Sequence, residues 1–421
     1  MSAGGSNTTE ESSELGDPRL DGRSSGRPLP LAGIRVLDMT SRVGAYCGKL
    51  LADLGADVVK IELPGGDALR DSPPFRRGTT AGRTSLLFAW YNNNKRGITL
   101  DWTSREATPL LAELSRTAAA VLVSPDRRQP LASFRQLPPH LPWLAGATTL
   151  CSITPYGLTG PWRDWRATPF TSFACSGQMY AIGPDVGPPV AMPGQQLYDE
   201  ASTRAASLIV GVLARGDALP PQTIDIAAHD LGAWQHLVIE RYSMIGRITT
   251  RATNFGPPPG GVWKCRDGYI DIAAHSPRHW ELFVDLLGNP EDLTEPLYRE
   301  RAMRVQLFDM LTTMIEDQLI DMSAHELVEQ GQELGLPCAL MYRPEEFLND
   351  IQPRVRGTFT TVQHPEFGFM TIPGPSVHSS EPLLAYRKGA PSLGESNHDI
   401  YVDELRHEPR ELEEWSQRGL I

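Results

Sequence analysis

A chain of 421 residues is longer than one hydrophobic core usually serves, so at least two domains are expected. Apolar residues make up 40% and charged residues 21%, the balance of a globular protein rather than a disordered or membrane-embedded one. The 51 acidic and 39 basic side chains leave a net charge of -12, which argues against a general nucleic-acid binder but leaves room for a local basic pocket.

Residues 1–27 are rich in Ser, Gly, Glu and Asp and carry no apolar stretch, so they read as a disordered leader and not as a signal peptide. No apolar run reaches the ~20 residues of a membrane span. Cys47, Cys151, Cys175, Cys265 and Cys338 are scattered, odd in number and without CxxC spacing. That pattern suits reduced, mostly buried thiols in a cytoplasm rather than disulfides or a zinc site.

Ile34 to Asp38 is a short apolar run closed by an acid, as in a parallel strand. After the loop Thr40 to Ala45, residues Tyr46 to Leu54 have helical spacing and stop at Gly55, a natural helix end. Asp57 to Glu62 is the next strand, completing a βαβ unit that predicts a doubly wound parallel sheet. Further strands are expected at Gly97 to Leu100, Val121 to Ser124, Thr149 to Ile153 and Thr223 to Ile226, with a helix capped by Ser104. Pro155 to Pro193 reads as a long functional loop region with one helix near Phe170 to Tyr180. Glu200 to Ala214 is the best-defined helix, followed by another from His229 to Met244. A domain boundary falls in Ile245 to Pro259. Val262 to Ala274 reads as a hairpin turning at Arg266-Asp267-Gly268. Helices dominate to Gly335, and short strands around His364 to Gly368 precede a last helix.

Four signals compete for the chemistry. Glu62 follows the first strand at the distance of a dinucleotide-binding acid, but Ser41 to Tyr46 does not supply the G-x-G-x-x-G turn, so a nicotinamide enzyme is disfavoured. The pairs His229/His236 and His275/His279 lack an H-E-x-x-H or Cys partner, and no metal site is expected. Ser–His–Asp catalysis has no G-x-S-x-G elbow. Arg42, Arg70, Lys95, Arg96, Arg127 and Arg135 lie near predicted strand ends, where ligands of open α/β sheets bind and phosphates want guanidinium groups. The last signal is Asp199, directly before the best-defined helix. As an N-cap it needs no further role. As a carboxylate kept ionised by a helix N-terminus, it can attack a thioester and form an anhydride. Spacing alone favours the cap.

The chain from about Pro30 to Ile421 resembles the family III CoA-transferases. The resemblance runs in order through Leu31 to Asp38, Leu51 to Glu62, Pro64-Gly65-Gly66-Asp67, Asn94 to Asp101, Cys151 to Ile153, Thr159-Gly160-Pro161, Gly187-Pro188-Pro189, Lys264 to Tyr269, His364 to Gly368 and Arg418 to Ile421. It implies an α/β fold with a Rossmann-like parallel-sheet large domain and a smaller α+β domain, in an interlocked dimer. On that plan 28–245 begins the large domain, 246–340 is the small domain, and 341–421 returns to complete the large one. It implies transfer of coenzyme A from an acyl-CoA to a carboxylic acid, with Asp199 as the catalytic nucleophile and a coenzyme A thioester as substrate rather than a permanently bound cofactor. It places coenzyme A contacts at Arg42, Val43, Leu63, Lys95, Arg96, Leu100, Arg127 and Arg135. Partners are the two substrates and a second copy of the chain, or a paralogous subunit in a heteromer with this chain non-catalytic; no nucleic acid or membrane is implied. The related α-methylacyl-CoA racemases pair the same Asp with a His before the second helix, but Ala167-Thr168-Pro169-Phe170 holds none. Asn254-Phe255-Gly256-Pro257-Pro258-Pro259 replaces the glycine run of formyl-CoA transferase, so a stiff apolar boundary is expected there instead of a mobile lid.

Overall fold

The computed structural model describes residues 27–76, 85–124, 149–184, 187–216, 219–234, 242–246, 251, 256–364, 367–375 and 377–421. The chain forms two compact units. The first takes residues up to Tyr180, Val190–Glu240 and Ile351–Ile421; the second takes Ala181–Pro189 and Arg241–Asp350.

The first unit is built on six strands: β1 Arg35–Met39, β2 Asp57–Glu62, β3 Arg96–Thr99, β4 Ala120–Val123, β5 Thr149–Thr154 and β6 Gln222–Ala227. All pairings are parallel, in the order β3-β2-β1-β4-β5-β6. The four central strands are covered on both faces, which is why they read as continuous apolar runs rather than alternating ones. Helix α1, Ala45–Asp53, makes the first crossover. It ends two residues before Gly55, whose φ of 101° favours glycine and where a Cβ would fall 2.4 Å from Leu29. Short helices α2, Leu86–Tyr91, and α3, Thr108–Arg116, bracket β3. Ser104 caps a 3-10 turn, Arg105–Ala107, that leads into α3.

β1 and β4 are neighbours although β2 and β3 intervene in sequence. The strand order therefore reverses between them, and their carboxyl ends open the crevice where ligands of such sheets sit. Past β5 come α4, Pro169–Cys175, and the 20-residue α5, Gln196–Arg215. Helix α6, Ala228–Trp234, follows β6; the predicted continuation to Met244 falls largely on residues outside those described.

The second unit holds the predicted hairpin, β7 Gly261–Lys264 and β8 Tyr269–Ile272, with β9 Cys338–Leu340 as a third antiparallel strand. Asp267 in the turn accepts from the Ala324 amide at 2.7 Å and the Ser323 hydroxyl at 2.8 Å, which fixes the start of helix Ala324–Leu334. Trp263, Trp280, Phe283, Leu311 and Ile315 belong to its core. Pro257, Pro258 and Pro259 are buried in this unit, and the Pro259 carbonyl accepts from the Trp263 indole at 2.8 Å.

The end of the chain returns to the first unit. A π-helical segment, His398–Glu404, and the helix Pro409–Gln417 lead to Leu420 and Ile421, which join Leu100, Leu110 and Val123 in its core. No described helix is long and apolar enough to cross a membrane. All five cysteines are free thiols, and only Cys175 is exposed.

Candidate functional site

The carboxyl ends of β1, β2 and β4 are tied together by side chains. The Ser41 amide, just past β1, donates to Ser124 Oγ past β4 at 2.8 Å, bridging the point where strand order reverses. Ser41 Oγ donates to Asp67 Oδ1 at 2.6 Å. Lys60 on β2 donates to Asp67 Oδ2 at 2.6 Å and to the Thr40 carbonyl. Burial alone discourages charge on Lys60, but Asp67, Asp38 and Glu62 together hold it charged, above its ordinary range. The loop Thr40 to Gly44 therefore rests on a fixed floor.

The start of α5 packs on that loop. Ser202 Oγ donates to the Val43 carbonyl at 3.0 Å, and Gln195 Nε2 donates to the Arg42 carbonyl at 3.3 Å. Arg42 is half-buried and donates to Ser72 Oγ at 2.8 Å and to Gln195 Oε1 at 3.5 Å. Among the described residues no carboxylate pairs with its guanidinium.

Asp199 lies in the first turn of α5, not before it. The helix starts at Gln196, and Gln195 occupies the cap without a side-chain cap bond, so the N-cap reading of Asp199 is corrected by one turn. The Tyr91 phenol donates to Asp199 at 3.0 Å from Oδ1 and 3.2 Å from Oδ2, and Gln195 Nε2 donates to Oδ1 at 3.4 Å. Burial pushes the Asp199 carboxyl up to about 6, against the pull of these two donors. The expected stabilisation of the ionised form by the helix end is outweighed by desolvation.

The other sequence-derived residues separate into groups. Val43 follows Arg42 in the loop on which α5 packs, its carbonyl bonded by Ser202, and half-buried Leu63 follows β2 in the turn closed by the Gly66 amide on its carbonyl. Lys95 is fully buried and donates to Asp38 Oδ2 at 2.7 Å, the Ala45 carbonyl and Asn92 Oδ1. Arg96 opens β3 at the amino end of the sheet, where it pairs with Asp57 and Glu404. Leu100 is a core residue. The structure does not bring these three side chains to Asp199. Arg70 is taken by Glu62, which also explains that strand-end acid. Arg127 and Arg135 lie outside the described residues. Thr168 caps α4 with Pro169 at its first turn, so the stretch without histidine is a helix start.

Sequence reasoning missed Tyr91 and Gln195. Gln195 stands four residues before Asp199, a spacing that pairs amides with acids on helices. Tyr91 directly precedes the Asn92-Asn93-Asn94-Lys95-Arg96 block; only the fold brings it to Asp199. A separate cavity of about 360 Å³ opens at the carboxyl ends of β5 and β6, lined by Tyr156, Thr159, Trp162, Asp225, His229 and Asp230 among others. Asp199 is not part of its wall.

A doubly wound α/β unit with a half-buried carboxylate at its switch point defines a class of enzyme scaffold rather than one activity. The chain belongs to CoA-transferase family III, whose family model matches residues 31–397, and is accordingly a CoA-transferase, moving coenzyme A between an acyl-CoA and a carboxylic acid. A formyl-CoA:oxalate CoA-transferase of Streptomyces avermitilis is 28% identical, over 93% of this chain and 99% of that protein. A succinyl-CoA:glutarate CoA-transferase of Mus musculus is 26% identical, over 93% and 90%. The crystal structure of a CAIB/BAIF family protein from Brucella suis superposes with a TM-score of 0.78 at 23% identity, covering 90% of this chain and all of that one, a likeness of fold.

Proposed function

We propose that this enzyme takes coenzyme A from an acyl-CoA donor to a carboxylic acid acceptor with Asp199 as covalent nucleophile. The observation that carries the reading is the Asp199 carboxylate itself: half-buried, held by Tyr91 and Gln195, with Gln195 also accepting from the Arg42 guanidinium. An Asp199 oxygen adds to the donor carbonyl, and coenzyme A thiolate leaves an aspartyl anhydride. The thiolate then adds to Asp199 Cγ and expels the donor acid, giving an aspartyl-CoA thioester. The acceptor carboxylate displaces the thiolate from Cγ through a second anhydride, and thiolate attack on its acyl carbon frees the product. Arg42 and Val43, in the loop after β1, and Leu63, after β2, are proposed to receive coenzyme A, with Arg127 and Arg135 as further candidates. Oxalate and glutarate, named for the relatives, are the first acceptors to test. The functional form is proposed to be an interlocked homodimer.

The test is one preparation of the chain alone. Wild type incubated with a competent acyl-CoA and quenched with hydroxylamine should carry a hydroxamate on Asp199 by mass spectrometry, and light scattering at nanomolar concentration should report a dimer. Asp199→Asn should fold and dimerise yet lose transfer by several orders of magnitude. Glu200→Gln is the control, with only ~0.3–1 kcal/mol of dipole stabilisation at stake. A label on Glu200, near wild-type turnover in Asp199→Asn, or activity only after adding a second kind of chain would sink the reading; a stable monomer would remove the dimer.

A further inference from the structure

Tyr91 is the last residue of α2, and its ring is buried edge-on to Tyr46, with ring centres 5.9 Å apart. One phenol hydrogen faces two carboxylate oxygens at nearly equal distances, 3.0 Å and 3.2 Å. The bond is therefore free to follow whichever oxygen gains charge. Burial and the neighbouring Asp199 charge both push the phenol well above its ordinary ionisation range, so Tyr91 remains a donor throughout. Gln195 reaches only Oδ1, at the longer distance of 3.4 Å.

The nucleophile reading contains two kinds of carbonyl attack, and Tyr91 faces them differently. In the first, an Asp199 oxygen adds to the donor, and the oxyanion forms on the donor's oxygen. A hydrogen bond to the attacking carboxylate gives no help there and is partly lost. In the second kind, Asp199 Cγ is itself attacked, and the oxyanion forms on an Asp199 oxygen already facing the phenol.

Resting on that reading, we propose that Tyr91 is a catalytic residue that donates its phenol hydrogen bond to the oxyanion formed each time Cγ of Asp199 is attacked. When coenzyme A thiolate adds, the C–S bond forms and the Cγ carbonyl electron pair moves onto oxygen opposite the phenol. Collapse re-forms the carbonyl, breaks the anhydride C–O bond and releases the donor carboxylate. When the acceptor carboxylate adds, a C–O bond forms at Cγ and collapse breaks the C–S bond, releasing thiolate. No proton is gained or lost in either step, and the phenol keeps its hydrogen. Such donors act by being fixed before charge develops, and loss of one costs about 10²–10³ in rate.

The experiment compares wild type and Tyr91→Phe at alkaline pH after a single turnover with acyl-CoA, measuring free and protein-bound coenzyme A in an acid quench. Tyr91→Phe should still release thiolate from the donor but return it slowly to Cγ. Free coenzyme A should then rise to an amount stoichiometric with enzyme, protein-bound coenzyme A should fall, and steady-state turnover should drop about 10²–10³-fold. A merely structural role predicts loss of both species together. That result, or turnover within a few-fold of wild type, overturns the proposal. If the Phe variant does not fold, a ring-fluorinated tyrosine at position 91, a stronger donor of the same shape, should speed thioester formation, and an unchanged rate overturns the proposal equally. Absence of label on Asp199 in wild type would remove the nucleophile reading itself, whereas a labelled wild type with a normal Phe variant removes only the role of Tyr91.

Discussion

A carboxylate in the first turn of a helix gains about 0.3–1 kcal/mol from the dipole, less than the ~1.4 kcal/mol that one pKa unit represents. Burial at Asp199 therefore wins, and its carboxyl sits near 6 despite two hydrogen-bond donors. The consequence for activity has a definite sign. Only the ionised form attacks, so kcat/KM should be on its plateau above about 6 and fall tenfold per pH unit below it. A profile of initial rates measures this, with substrates that do not titrate in the range. A flat profile through that region would mean that ionisation of Asp199 does not gate the reaction.

At the scale of elements, Lys95 shows how a basic residue near a strand misleads. Its ammonium is buried with Asp38 of β1, and a Cβ added at Gly48 of α1 would fall 2.3 Å from that same carboxylate and 2.9 Å from the ammonium. Strand, helix and the entry to β3 thus meet at one ion pair, with no room for a larger residue at position 48. Lys95→Met should leave Asp38 buried without its hydrogen-bonded ammonium partner, at a cost of about 3–5 kcal/mol by urea unfolding. Its KM for acyl-CoA should stay near wild type in the folded protein; a raised KM at unchanged stability would instead return Lys95 to the coenzyme A site. The sequence could not reveal this, because Asp38 and Lys95 are 57 positions apart. The strands themselves were legible, since an apolar run closed by a charge has few other readings in a βαβ pattern, and β2 has the expected bounds. The start of α5 was not. Gln195 makes no side-chain cap bond, and the capping signature falls on Asp199, a turn inside the helix. Asp199 could be picked out through the family resemblance, but Tyr91, 108 positions away, could only be found by folding the chain.

Over the whole molecule, the return of the chain to its first unit covers the end of β3 and fills the core beside it. Asp101, just past β3, donates its amide to the Leu420 carbonyl at 2.6 Å, and Tyr401 donates to the Thr99 carbonyl at 2.9 Å. Trp415 stands edge-on to Tyr401, and His407 reaches Glu113 of α3 at 2.7 Å. Leu420 and Ile421 are buried in the same core as Leu100, Leu110 and Val123. Burying an aliphatic side chain of this size is worth about 1.5–3 kcal/mol, so deleting Leu420 and Ile421 should remove ~3–6 kcal/mol before any relaxation. Against a total of about 5–15 kcal/mol for a typical domain, that is a large share. The shortened protein should unfold at markedly lower urea concentration. It should also lose activity in proportion to its unfolded fraction, with Asp199 still labelled in the molecules that remain folded. Replacing both residues with Ala separates the two contributions: it keeps the Leu420 backbone bond to Asp101 while removing most of the side-chain burial. If the double Ala variant is as unstable as the deletion, packing holds the end in place; if it matches wild type, the backbone bond does, and the core assignment of Leu420 and Ile421 is wrong.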